Sequence, residues 1–180
     1  SADNSIKQSG PIATNFKAIN PNSPYYGPRI ADIYPKSTAF SPDGKWLYLS
    51  GYYHLIGDPR GYSDHNCLHG VTRVAYDKNE PYEVILGKMT LETTDNSNSM
   101  KDSGSDNEHF TCATSVACYK EGRIYVSDYM NHRIQIYSDD KKFLKTIKTP
   151  YPTKIFIHPV TGEIYVLSWV IENPKLGGEE

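Results

Sequence analysis

The sequence predicts an all-β fold of repeated four-stranded antiparallel sheets, and three observations predict it. A strand–turn–strand pattern occurs three times, over residues 35–50, 113–127 and 152–167. Each copy is an apolar strand, a tight turn ending in Gly and a second apolar strand carrying Tyr. Gly122 and Gly162 lie roughly 40 residues apart, one repeat period, and Gly44 precedes Gly122 by nearly twice that. The composition agrees: 15 Tyr against 5 Phe and 2 Trp suit pleated, half-wet surfaces, while 13 Gly and 12 Pro punctuate many turns.

The chain has 180 residues, enough for one sizeable domain. Its net charge of −2, with basic residues scattered rather than striped, argues against a nucleic-acid partner. No apolar run reaches the length of a membrane-spanning helix. The first residue is Ser, which suits a processed chain or a piece of a longer one.

The elements follow in order. Residues 1–34 form an extended N-terminal segment, rich in Asn, Ser, Pro and Gly, with one strand expected over 12–19. Residues 35–91 form a first sheet with strands over 38–41, 45–50, 71–76 and 82–86, interrupted by an inserted loop at 51–70. Residues 92–112 are a connecting loop. Residues 113–149 are the most regular copy, with strands over 115–119, 123–127, 132–137 and 142–147. In its third strand Arg133, Gln135 and Tyr137 alternate with Ile134 and Ile136. Residues 150–180 supply the first half of a further sheet and a tail. Four short antiparallel strands in about 40 residues describe one blade of a β-propeller.

The run Gly122-Arg123-Ile124-Tyr125-Val126-Ser127-Asp128, followed by Asn131-His132-Arg133-Ile134-Gln135-Ile136-Tyr137, resembles the NHL repeat family of β-propellers. Gly104-Ser105-Asp106, Phe110, Val116-Ala117 and Phe143-Leu144 add to the resemblance. It covers roughly 35–167, with one complete, regular copy. The residues also make sense physically. Gly44, Gly122 and Gly162 allow a tight turn at positive φ. Tyr48, Tyr125 and Tyr165 share one face of their strands and can pack between blades. Asp128 and Arg133 flank a short turn and can close it as an ion pair, and Asn131 tolerates left-handed backbone geometry.

Two and a half blades leave a ring incomplete, since propellers use four to eight. The N-terminal strand could complete the third blade, or two copies of the chain could close a ring together. The ragged ends favour a third solution, further blades of the same longer protein.

The inserted loop gathers His65, Cys67 and His69, which an extended backbone would point one way as N/S ligands for zinc or copper. Asp102, Asp106 and Glu108 could offer oxygens to calcium. Against both stand ordinary readings: a polar loop tied by a Cys67–Cys112 disulfide, and the usual linker between blades. The sequence has three cysteines, and Cys118 sits in an apolar strand as a small buried residue. No catalytic residue and no cofactor-binding residue is assigned. No Ser-His-Asp arrangement, phosphate-binding Gly loop or Gly-x-Ser-x-Gly elbow is present.

The functional expectation is a non-enzymatic binding or scaffold propeller that presents its loops to a protein, a glycan or a small ligand. The alternative is a metal-dependent propeller enzyme. The resemblance implies this second reading, because some NHL-like propellers are peptide-amidating lyases with zinc and calcium in the central channel. The expected partners are another protein, further blades of the same protein, or a second copy of the chain. The long polar loops, the Cys67–Cys112 pair and the Ser start suit an extracellular or periplasmic location.

Overall fold

The computed structural model describes residues 16–18, 29–56, 65–67, 69–75, 83–88 and 102–170; for 16–18, 29–34, 52–56 and 65–67 it describes the backbone alone. The described residues are all-β, with no α-helix and one 3-10 turn at Lys120–Gly122. The strands are β1 (Phe16–Ala18), β2 (Arg29–Phe40), β3 (Trp46–Ile56), β4 (His65–Cys67), β5 (Gly70–Ala75), β6 (Glu83–Gly87), β7 (Ala113–Cys118), β8 (Ile124–Asp128), β9 (Arg133–Tyr137), β10 (Phe143–Lys148), β11 (Pro152–Ile157) and β12 (Ile164–Ser168).

They form three antiparallel sheets. The first runs β1-β2-β3-β5-β6, with β4 also paired to β3; the second runs β10-β9-β8-β7; the third is β11-β12. The second is the four-stranded propeller blade expected from the sequence. Within it Val126 lies opposite Val116 on one side and Gln135 on the other. The first sheet differs from expectation. Gly51 to Ile56 continues β3 against Ile30–Pro35 instead of opening a loop, and β4 pairs with Tyr52–His54. The run Tyr52-Tyr53-His54-Leu55-Ile56 is aromatic and branched, and such side chains suit a pleated strand.

Each sheet carries a register shift at the same place in its innermost strand, between Pro35 and Ser37, Ala113 and Ser115, and Pro152 and Lys154. The repeat is therefore structural down to its bulges. The three turn glycines share one conformation as well, with φ of +69° at Gly44, +72° at Gly122 and +77° at Gly162. The left-handed residue after β8 is His132 (φ 53°), however, and not Asn131. The Asn131 amide is committed to side-chain bonds that hold its backbone elsewhere.

The core lies between the sheets. Tyr48, Val71 and Ile85 of the first sheet pack on Val116, Ile124, Val126 and Tyr137 of the second, with Phe110 between them. The opposite face of the second sheet, with Ala117, Tyr125, Ile134 and Ile136, packs on Ile155, Ile157, Ile164 and Val166 of the third. Alternation thus sends neighbouring side chains of one strand to different blades. Burial of this kind contributes about 1.5–3 kcal/mol per large apolar side chain.

Candidate functional site

The densest polar network sits at the β8–β9 hairpin, where Asp128 and Arg133 are paired residues of the ladder. Arg133 Nε donates to Asp128 Oδ2 at 2.7 Å, and Nη1 and Nη2 donate to the backbone oxygens of Ser105, Asp106 and His109 at 2.6–3.1 Å. Asn131 Nδ2 donates to Asp128 and to the Gly104 oxygen. Gln135 Nε2 reaches Asp106 O at 3.1 Å, and the Tyr137 hydroxyl reaches Asn107 O at 2.8 Å. Four side chains of one hairpin thereby hold the loop 104–109, which precedes the innermost strand. A guanidinium suits this task because its donors form a rigid fork. Burial raises the Asp128 carboxyl above its ordinary range, while the Asn131 amide, the Thr111 N–H and Arg133 pull it back.

The sequence-predicted calcium residues lie in or beside this loop. Asp106 Oδ1 accepts from the N–H groups of Glu108 and His109 at 2.8 and 2.9 Å, and the Asp106 carboxylate also meets His109 Nδ1. These bonds, His109 first, hold its carboxyl below the usual range. Among the described residues no three His, Cys, Asp or Glu side chains gather in an arrangement that could hold a metal ion. The structure therefore does not bring Asp102, Asp106 and Glu108 together as a ligand set. The Asp106 oxygens are taken up by the turn itself.

Of the zinc candidates, His65 and Cys67 lie on β4, and their side chains are outside the described residues. His69 is buried, and its Nδ1 accepts from the Cys112 N–H at 3.1 Å. That bond sets the neutral tautomer with the proton on Nε2, so zinc would have to displace it. Cys112 is disulfide-bonded and Cys118 is a free thiol, which leaves Cys67 as the one other cysteine in the sequence. Burial pushes the Cys118 thiol up to about 11.

A second polar group lies on the innermost strands, and sequence reasoning missed it. Ser37 Oγ accepts from the Val116 N–H at 3.2 Å and lies 3.1 Å from Ser115 Oγ. Ser115 Oγ in turn accepts from the Ile155 N–H at 3.1 Å. Lys154 Nζ donates to Ser37 Oγ at 2.9 Å and to the Lys36 oxygen at 3.2 Å. The available signal was the equivalence of Ser37, Ser115 and Lys154 in the three repeats.

Comparison with known families matches residues 110–137 to the NHL repeat. The match spans the innermost strand, the Gly122 turn and the Asp128–Arg133 hairpin, so the side chains that hold the loop 104–109 lie within the matched residues. Solved structures similar to the chain include a luciferin-regenerating enzyme (17% identity, TM-score 0.49, covering 74% of this chain and 37% of that one). They also include a gluconolactonase from Xanthomonas campestris (14%, TM-score 0.43, 74% and 34%) and a calcium-binding regucalcin from Agrobacterium tumefaciens (21%, TM-score 0.40, 69% and 34%). The chain spans about a third of the length of each of them. Comparison with curated proteins gives no match. Among the described residues no helix is long and apolar enough to cross a membrane.

Proposed function

We propose that this NHL blade and its neighbours act as a binding or scaffold propeller that engages another protein or further blades, and present loops to a protein, a glycan or a small ligand. The observation that carries this reading is the outer face of the third sheet. Phe156 and Tyr165 are paired across β11 and β12, and Leu167 and Trp169 continue the same face. All four are more than half exposed. A contiguous apolar face of this kind marks an interaction surface.

The test is hydroxyl-radical footprinting of the protein from its native source. Protection of Tyr165 and Trp169, lost when the protein is dissociated, supports the reading. Full reactivity of both in the native state overturns it.

The same reading includes export, because a disulfide at Cys112 suits an oxidising compartment, extracellular or periplasmic. A non-reducing peptide map that joins Cys67 to Cys112 supports it. Two free thiols at those positions in freshly isolated, alkylated protein overturn it.

A further inference from the structure

Ser37, Ser115 and Lys154 hold the same place on the innermost strands of three consecutive sheets, each just past the shared bulge. The two serines do the same work. Each hydroxyl accepts from a backbone N–H of the next sheet, Val116 for Ser37 and Ile155 for Ser115, and those two donor positions are themselves equivalent. Both serines are buried.

Lys154 breaks the pattern. Its ammonium turns back to the first sheet and donates to two neutral oxygens, Ser37 Oγ and Lys36 O. An ammonium has three donors, so one remains. No carboxylate among the described residues forms an ion pair with it. Desolvation alone holds the Lys154 amine below its ordinary range, with no compensating charge. A half-buried cation is normally balanced by an anion, because its Coulomb interaction strengthens as water is removed.

The geometry points to a small-oxyanion site at Lys154, where the innermost strands of three sheets meet, with a carboxylate or phosphate group as the third partner of the ammonium. The ligand is a free small molecule, held by the charge of Lys154. This site does not depend on what covers the third sheet.

The test uses the full chain, titrated with inorganic phosphate and separately with acetate at constant ionic strength. Amide shifts of Ser37, Lys154 and Ile155 are followed together with Tm. Saturable shifts at these residues are expected, with affinity at least about tenfold weaker in Lys154→Met. Lys154→Arg retains binding. Should Lys154→Met fail to fold, Lys154→Gln replaces it, keeping a donor without the charge. Shifts that do not saturate, or that are unchanged in the Met or Gln variant, overturn the site and leave Lys154 as a strut between the third and first sheets. Shifts at Lys154 that appear only with added protein carboxylates, and not with phosphate or acetate, also overturn it.

Discussion

Tyr125 and Tyr165 occupy the same place in consecutive sheets, yet Tyr125 is 5% exposed and Tyr165 is 55% exposed. The pairing around them is alike: Tyr125 faces Ala117 across the hairpin, and Tyr165 faces Phe156. What differs is the neighbour. Tyr125 packs on the third sheet, as Tyr48 (5% exposed) packs on the second, and no described sheet covers Tyr165. Tyr125→Ala should therefore destabilise the chain by about 3–5 kcal/mol, as large-to-small core changes do. Tyr165→Ala should change it by less than about 1 kcal/mol. Denaturant midpoints of both variants check this, and equal losses would contradict the wedge arrangement.

The blade was legible because its signals are local. The period-two alternation of Arg133–Tyr137, the glycine turns and the Tyr positions each follow from a few neighbouring residues; the structure places the alternation and the turns as expected and packs Tyr48 and Tyr125 between sheets, but leaves Tyr165 uncovered. The long β2–β3 hairpin was not legible, because its pairing joins Ile30 to Ile56 and nothing local announces that distance. The Lys154 group was hidden for the same reason. It joins Lys36, Ser37, Ser115 and Lys154, which only the stacking of blades brings together. The left-handed residue moved from Asn131 to His132 because the Asn131 side chain is claimed by Asp128 and Gly104.

Arg133 is nearly buried beside a fully buried Asp128 and makes four hydrogen bonds, three of them to the loop 104–109. Arg133→Ala leaves the buried Asp128 carboxylate without its counter-charge and should cost about 3–5 kcal/mol. Arg133→Lys keeps the charge but cannot span all these acceptors, and should cost about 2 kcal/mol. Limited proteolysis should nick the loop 104–109 faster in both variants. Wild-type nicking rates in Arg133→Lys would show that charge alone, not the fork, holds the loop.

Gly122 and Gly44 share a positive φ but differ in their surroundings. A Cβ on Gly122 would lie 2.5 Å from the Cβ of Asp139, whereas one on Gly44 would meet nothing within 4 Å. Gly44→Ala should cost about 1 kcal/mol, from backbone strain alone. Gly122→Ala adds a steric clash and should cost at least about 2 kcal/mol. Thermal unfolding of the two variants side by side separates strain from contact.

Asp43 gives a prediction in acid. The Ser41 hydroxyl donates to its Oδ1 at 2.6 Å, and the Lys45 N–H donates at 3.1 Å. With the Ser41 bond as the largest cause, they lower the Asp43 carboxyl from 3.8 to about 2. A carboxylate depressed in the folded state stabilises the fold fully above its unfolded value. That contribution fades as pH falls from about 4 through about 2. An NMR titration should therefore place the Asp43 midpoint near 2 in the native chain, and Ser41→Ala should move it up toward the ordinary value. Because Asp43 lies at the solvent-exposed turn of the first repeat, acid should loosen this turn while the buried hairpins of the second sheet persist. A midpoint unmoved by Ser41→Ala would show that the hydroxyl bond does not set it.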